Sequence, residues 1–209
     1  MRRRFFDLAF TPAVRDQQTR RGSRSAYTAI AARDGGDGGD VMADKLSGHE
    51  IAFIAARDSF YLATISEAGW PYVQHRGGPP GFVRHLPDGT IGWAEYAGNR
   101  QYLSIGNASV DDRAAMLFMD YPHQQRLKVL GHMKAYDVDS RPDLALLLAV
   151  DGYKARVEQL VVVTVEAFDW NCPQHITPRF TLAELEGLTE PLRARIAELE
   201  QQLAKARTS

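Results

Sequence analysis

The sequence predicts a mainly β protein, an antiparallel barrel of six strands with helices at its periphery, and three observations carry that prediction. Segments rich in β-branched and aromatic residues recur between Phe60 and Phe168, short turn signals separate several of them, and helical periodicity is confined to a few stretches. Strands in that number, with few helices between them, bury their apolar faces by closing into an antiparallel barrel.

Taken in order, Ser47 to Arg57 reads as a helix that places Ile51, Ile54 and Ala55 on one face. Phe60 to Ser66 is the first strand, Glu67-Ala68-Gly69 a turn, and Pro71 to His75 the returning strand. Phe82 to Leu86 and Thr90 to Tyr96 flank Pro87-Asp88-Gly89, whose Asp-Gly pair is a strong hairpin marker. A short helix is expected over Arg100 to Ile105. Apolar strands follow at Ala114 to Tyr121, Arg126 to Val138 and Val157 to Phe168, with a helix from Pro142 to Val150 between the last two.

The ends have a different character. Residues 1–43 combine an arginine-rich start, a polar middle and the tract Asp34-Gly35-Gly36-Asp37-Gly38-Gly39-Asp40, which reads as a linker or exposed loop after a basic arm. That arm is either a solvated tail or a reach toward an anion or a partner subunit. Residues 44–180 form the expected barrel domain. Residues 181–209 form a helical extension: Thr181 and Glu184 match a capping box, Gly187 is expected to stop that turn, and Thr189 with Pro191 to start a new helix. Its stripe Leu185, Leu188, Leu192, Ile196, Leu199 and Leu203 is one apolar face, too short and irregular for a sustained coiled coil.

A chain of 209 residues, 44% hydrophobic and 24% charged, is long enough for one substantial core. Its net charge of -1 and pI near 6.6 provide no broad attraction for a polyanion, which excludes nucleic-acid binding by the surface as a whole. The single cysteine, Cys172, excludes an internal disulfide. Met1-Arg2-Arg3-Arg4 has the charge of a signal-peptide start, but the following FFDLAF is interrupted by Asp7 and too short, and no apolar run reaches membrane-spanning length. A soluble, cytoplasmic protein with neither nucleic-acid nor membrane partners is expected.

Familiar catalytic sets are absent: there is no GxGxxG after a strand, GxxxxGK[ST], HExxH or GxSxG. The six histidines are scattered, Cys172-x-x-His175 lacks further thiolate ligands, and no metal site is expected. A Cys172–His175 nucleophile has no identifiable orienting third group.

What remains is an anion-binding inventory. In Gln74-His75-Arg76-Gly77-Gly78-Pro79-Pro80-Gly81-Phe82, an arginine and two glycines end a strand. The segment is either a long Gly/Pro loop or a place where backbone N–H groups approach a ligand. Gly98-Asn99-Arg100-Gln101-Tyr102 precedes the short helix, with Asn99 as expected N-cap and Arg100 beside the positive end of the helix dipole. Arg126 opens the next long strand. Guanidinium forks match phosphate oxygens with paired hydrogen bonds.

From Phe60 to Asp137, these motifs in this order resemble the FMN-binding split barrel of pyridoxamine 5'-phosphate oxidase and its relatives. The correspondence runs through Gly69-Trp70-Pro71, the basic strand after it, the Gly98-Asn99-Arg100-Gln101 helix start, Leu117-Phe118, and the strand Arg126-Leu127-Lys128-Val129-Leu130-Gly131. QHRGGPPGF, GNRQY and WNCPQH (Trp170 to His175) are most similar to a branch of predicted flavin-nucleotide-binding proteins. The resemblance implies a six-stranded antiparallel split β-barrel that binds FMN in a cleft at a homodimer interface. It places Gln74, His75, Arg76, Gly77 and Gly78 along the flavin, Arg76 and Arg100 on the phosphate, and Asn99 and Gln101 in support. Trp93 and Ala94 would pass the cofactor, Arg126 would approach the ring, and Trp170 and Asn171 would come from the partner subunit.

Two departures narrow the expectation. The oxidase's phosphate-binding lysine has no counterpart near Pro79 and Pro80, and Gln101 stands where its helix-start lysine would be. The pyridoxamine-phosphate-binding C-terminal segment is replaced by the Thr181 to Leu203 region. The resemblance therefore implies an FMN-dependent oxidoreductase acting on a small substrate or redox partner other than a B6 vitamer. Its alternative is a non-catalytic flavin-binding module serving as carrier, sensor or electron relay.

Overall fold

A computed structural model describes residues 4–33, 42–170 and 174–207, without the side chains of Arg33 and Leu188. The Asp34–Asp40 tract, Asn171 and Cys172 lie outside the described residues. The helices are α1 (Arg4–Ala9), α2 (Pro12–Arg20), α3 (Arg24–Arg33), α4 (Gly48–Ala55), α5 (Leu103–Val110), α6 (Pro142–Leu148) and α7 (Leu182–Arg207). The strands are β1 (Ser59–Ile65), β2 (Pro71–Gly77), β3 (Arg84–His85), β4 (Ile91–Tyr96), β5 (Arg113–Asp120), β6 (Gln125–Asp137) and β7 (Val157–Trp170).

The protein is mainly β, a split barrel built on one sheet in the order β2-β1-β5-β6-β7-β4-β3 with peripheral helices. Among the described residues the strands number seven against the expected six, and the Phe82 to Leu86 segment contributes only the two-residue β3. Phe82 and Val83 are instead buried beside it as core residues. The Asp88-Gly89 turn joins β3 to β4: Gly89 sits at φ 87°, where a side chain would be strained, and Asp88 Oδ1 accepts from Thr90 N and Oγ1 at 3.1 and 2.6 Å.

Alternation along β1 and β5 buries every second residue, and Phe60, Phe82, Trp93 and Phe118 meet in the core with ring centroids 5.0 to 5.9 Å apart. A second cluster of Leu86, Ala94, Leu144, Leu148 and Leu160 lies under α6. Strand β7 is irregular in two places. Against β4 the register passes from Glu95–Gln159 to Tyr96–Val157, leaving Glu158 out; against β6 it passes from Leu130–Ala167 to Gly131–Val165, leaving Glu166 out. Each β-bulge re-aims one glutamate away from the ladder.

The chain forms two compact units, one of residues 1–119 and 126–172 and another of 120–125 and 173–209. In the first, the segment expected as an arm is helical. Thr11 caps α2 with Pro12 in its first turn, Phe6, Phe10 and Tyr27 form a ring cluster, Phe5 is buried, and Arg4 Nε meets Glu166 Oε2 at 3.3 Å. On α4 the inward residues are Glu50, Phe53 and Ile54, and Ala55 is exposed.

In the second unit, α7 is one helix of 26 residues where a break at Gly187 was expected. The capping box forms as expected, with Glu184 Oε2 accepting from Thr181 N at 2.7 Å. Thr189 does not cap a new helix: its hydroxyl donates back to the carbonyls of Leu185 and Glu186 at 2.9 and 3.2 Å. Pro191 lies inside the helix and lacks the N–H that would reach the Gly187 carbonyl.

Candidate functional site

Side chains on β2 point alternately to its two faces, and this separates residues adjacent in sequence. Gln74 and Arg76 face a cleft of about 190 Å³ lined also by Glu95, Tyr96, residues 98–102, Ile105 and Glu158. His75 is on the opposite face, edge-on to Tyr61 at 5.7 Å. Gly77 pairs with Ser59 in the ladder, and Gly78 donates its N–H to Asp58 O at 2.8 Å, so that N–H is already used within the fold. A Cβ on Gly78 would lie 2.7 Å from the Phe82 ring, which explains the glycine by packing.

Arg76 Nη1 meets Glu95 Oε1 at 2.8 Å, and each side chain is only 14% exposed. Glu95 Oε2 also accepts from the indole Nε1 of Trp93 at 3.0 Å. Trp93 is therefore a core residue that orients Glu95, and Ala94 belongs to the cluster under α6. The Nε of Arg76 is buried and has no hydrogen-bond partner among the described residues.

The loop before α5 is left-handed at two non-glycine positions, Arg100 (φ 59°) and Tyr102 (φ 51°). Such residues are uncommon, cost on the order of 1–3 kcal/mol each, and concentrate at functional sites. They also displace the helix start: α5 begins at Leu103 after Tyr102, and Asn99 is not its N-cap. Asn99 Oδ1 accepts instead from Gln101 N at 3.2 Å, bracing the loop. Arg100 Nε donates to Tyr102 Oη at 3.2 Å, and that hydroxyl donates to Glu158 Oε2 at 3.2 Å. The bond to Tyr102, with the Glu158 charge behind it, holds the Arg100 guanidinium above its ordinary pKa. Burial first, and then Tyr153 beside it, push the Tyr96 phenol up, so it is a neutral hydroxyl.

Five of the residues singled out from the sequence thus line one cleft: Gln74, Arg76, Asn99, Arg100 and Gln101. Within a single chain, His75, Gly77, Gly78, Trp93, Ala94, Arg126 and Trp170 do not line it. Arg126 lies on β6 with its Nε buried and unpartnered among the described residues. Trp170 donates its Nε1 to Glu50 Oε1 at 2.8 Å and packs against His49 and Phe53. Asn171 is outside the described residues.

Sequence reasoning missed the two carboxylates, Glu95 and Glu158. The bulge that turns Glu158 into the cleft is a property of strand pairing and leaves no mark on the local sequence. The cleft's charge is formally balanced, with Arg76 and Arg100 set against Glu95 and Glu158.

This donor set fits one end of a phosphate ester with a hydroxylated chain. Arg76 offers an unused buried donor, Arg100 a charged fork at the rim, and the Gln74 amide, whose Oε1 accepts from Ser104 Oγ at 3.2 Å, a fixed polar contact. Glu158 opposes the anion. The volume is smaller than the roughly 300–1,000 Å³ that usually encloses a whole ligand.

The family model for pyridoxamine 5'-phosphate oxidase matches residues 49–169. No curated protein is significantly similar in sequence. Similar solved structures include an FMN-binding protein from Syntrophomonas wolfei, 13% identical, with a TM-score of 0.43 over 74% of this chain and 97% of that one. Another is a Clostridium acetobutylicum protein of the pyridoxinephosphate oxidase family related to general stress protein 26, 14% identical, TM-score 0.42, over 65% and 94% of the two chains. A third is HupZ from Group A Streptococcus, 13% identical, TM-score 0.46, over 65% and 100%.

Proposed function

The chain belongs to the pyridoxamine 5'-phosphate oxidase family, and from that premise we propose that it is an FMN-dependent oxidoreductase of the cytoplasm that acts as a homodimer on a small substrate or redox partner. The observation that carries the reading is the Arg76 and Arg100 cleft between β2 and the strained loop before α5, inside the matched span. Residues 44–180 would form the flavin domain, with 1–43 and 181–209 as additions. Gln74, Arg76, Asn99, Arg100 and Gln101 would hold the phosphate and ribityl end. A second copy would complete the site, bringing Trp170 and Asn171. FMN, when bound, supplies hydride or electron transfer, while these side chains bind and orient it. Tyr96 and Tyr102 would wall the substrate side. Among the described residues no helix is long and apolar enough to cross a membrane.

The visible spectrum of freshly purified protein, with mass analysis of the chromophore released by acid, tests the assignment. A colourless preparation that FMN cannot reconstitute would overturn it. Arg100→Ala is expected to weaken FMN binding about tenfold in a fluorescence titration, the scale of one charge-assisted contact. Glu158→Gln is expected to tighten it several-fold, because a charge facing the phosphate is removed while the size is kept.

One feature favours a second reading, a flavin carrier or relay without turnover. Both cleft arginines are wired to glutamates, Arg76 directly and Arg100 through Tyr102, which weakens the hold on an anion and suits release. Reduction of the bound flavin by NAD(P)H followed by reoxidation with an acceptor, at catalytic turnover, separates the enzyme from the carrier.

A further inference from the structure

The C-terminal helix carries an apolar stripe with an eleven-residue repeat. Leu185, Leu188 and Leu192 recur as Ile196, Leu199 and Leu203, and α7 is continuous through both copies. Eleven residues in three turns is 3.67 per turn, close to the 3.6 of an α-helix, so the stripe runs nearly straight along about 27 Å of helix. What seemed an irregular mixture of three- and four-residue steps is therefore regular at the longer period. Leu185, Leu192, Ile196, Leu199 and Leu203 are 42 to 64% exposed. An exposed stripe of this length on a soluble surface marks a contact site.

The charges say what covers it. Glu184, Glu186 and Glu190 lie in the first ten residues of α7 and Lys205 and Arg207 in its last three, with Arg193, Arg195, Glu198 and Glu200 between them. A second α7 laid antiparallel sets the acidic start of each helix beside the basic end of the other, and opposes their dipoles favourably. A parallel copy sets like charges together at both ends. Four of the six stripe positions are symmetric about residue 194, so an antiparallel pair brings Leu185 opposite Leu203 and Leu192 opposite Ile196. We infer that α7 is a self-pairing element, packing antiparallel against α7 of a second copy of this chain along the stripe from Leu185 to Leu203.

Disulfide trapping in the full-length protein, with Cys172→Ser as background, tests this. The double variant Leu185→Cys/Leu203→Cys is expected to form a covalent dimer on mild oxidation. Each single variant, and the outward-facing control Ala194→Cys, should lose that band. The substituted positions are all exposed, and circular dichroism checks that the helix content is kept. Cross-linking of both single variants would show a parallel pair and overturn the arrangement. Equal trapping of Ala194→Cys would mean random collision, and no trapping in the double variant would mean that no second copy covers the stripe; either overturns the inference.

Discussion

Gly131→Ala is expected to lower stability by about 3 kcal/mol or more, and the melting temperature by roughly 10 °C for a chain of this size. The residue sits at the β6/β7 bulge, where an added Cβ would lie 2.4 Å from Thr164 O and 2.7 Å from Val163 Cγ1. The nearer obstacle is backbone and cannot rotate away, so relief requires prising two paired strands apart. Gly106→Ala is the matched control. Gly106 lies in α5 with nothing within 4 Å of an added Cβ, and the substitution should be neutral or stabilise by about 0.5–1 kcal/mol through better helix propensity. Paired thermal and urea melts check both, and a Gly131→Ala protein as stable as the parent would refute the close approach.

Acid should destabilise the protein through Glu50. Burial alone would raise the pKa of this carboxyl, but hydrogen bonds from the Ser47 side chain, the Trp170 indole and the Ser47 backbone outweigh it and hold the value at about 2, against 4.5 ordinarily. A depressed folded-state value stabilises the native state fully above the unfolded value. The contribution, on the order of 3 kcal/mol, is lost progressively as pH falls from about 4.5 toward 2. Glu50→Gln keeps the shape yet turns donors against donors, and should cost about 1–3 kcal/mol near neutrality. The gap between parent and variant should narrow as pH drops from 6 to 3, measured by urea titration at each pH. A constant gap would mean that Glu50 acts by packing alone. Because Glu50 also fixes the Trp170 indole, tryptophan fluorescence should report the same loss.

The strands were legible because alternation and turn chemistry are local: β1, β2, β4, β5, β6 and β7 all fall within a few residues of where β-branched runs and Gly-containing turns put them. Long-range geometry decided the rest. The start of α5 slid to Leu103 because Arg100 and Tyr102 take left-handed conformations that their residue types do not announce. Gly187 and Pro191 read as a break, but the helix runs on through both. The N-terminal helices are too polar for periodicity to show, although Thr11-Pro12 was a usable start signal; their order comes from the Phe6, Phe10 and Tyr27 rings meeting. In the cleft, the arginines and the loop were visible as residue types, but strand alternation decided that Arg76 enters and His75 does not, and pairing decided that Glu158 joins them.

The two displaced glutamates of β7 also work as a register lock. Glu158 and Glu166 are accommodated only because each sits where the ladder skips a residue. Sliding β7 by one position against either neighbour would swap its faces, drive a carboxylate toward a core of Trp93, Val129 and Met133, and break the Arg4 and Tyr102 contacts at once. This inner strand of the sheet thus carries its own proofreading, and the cleft and the anchor of the N-terminal helices are set by the same alignment.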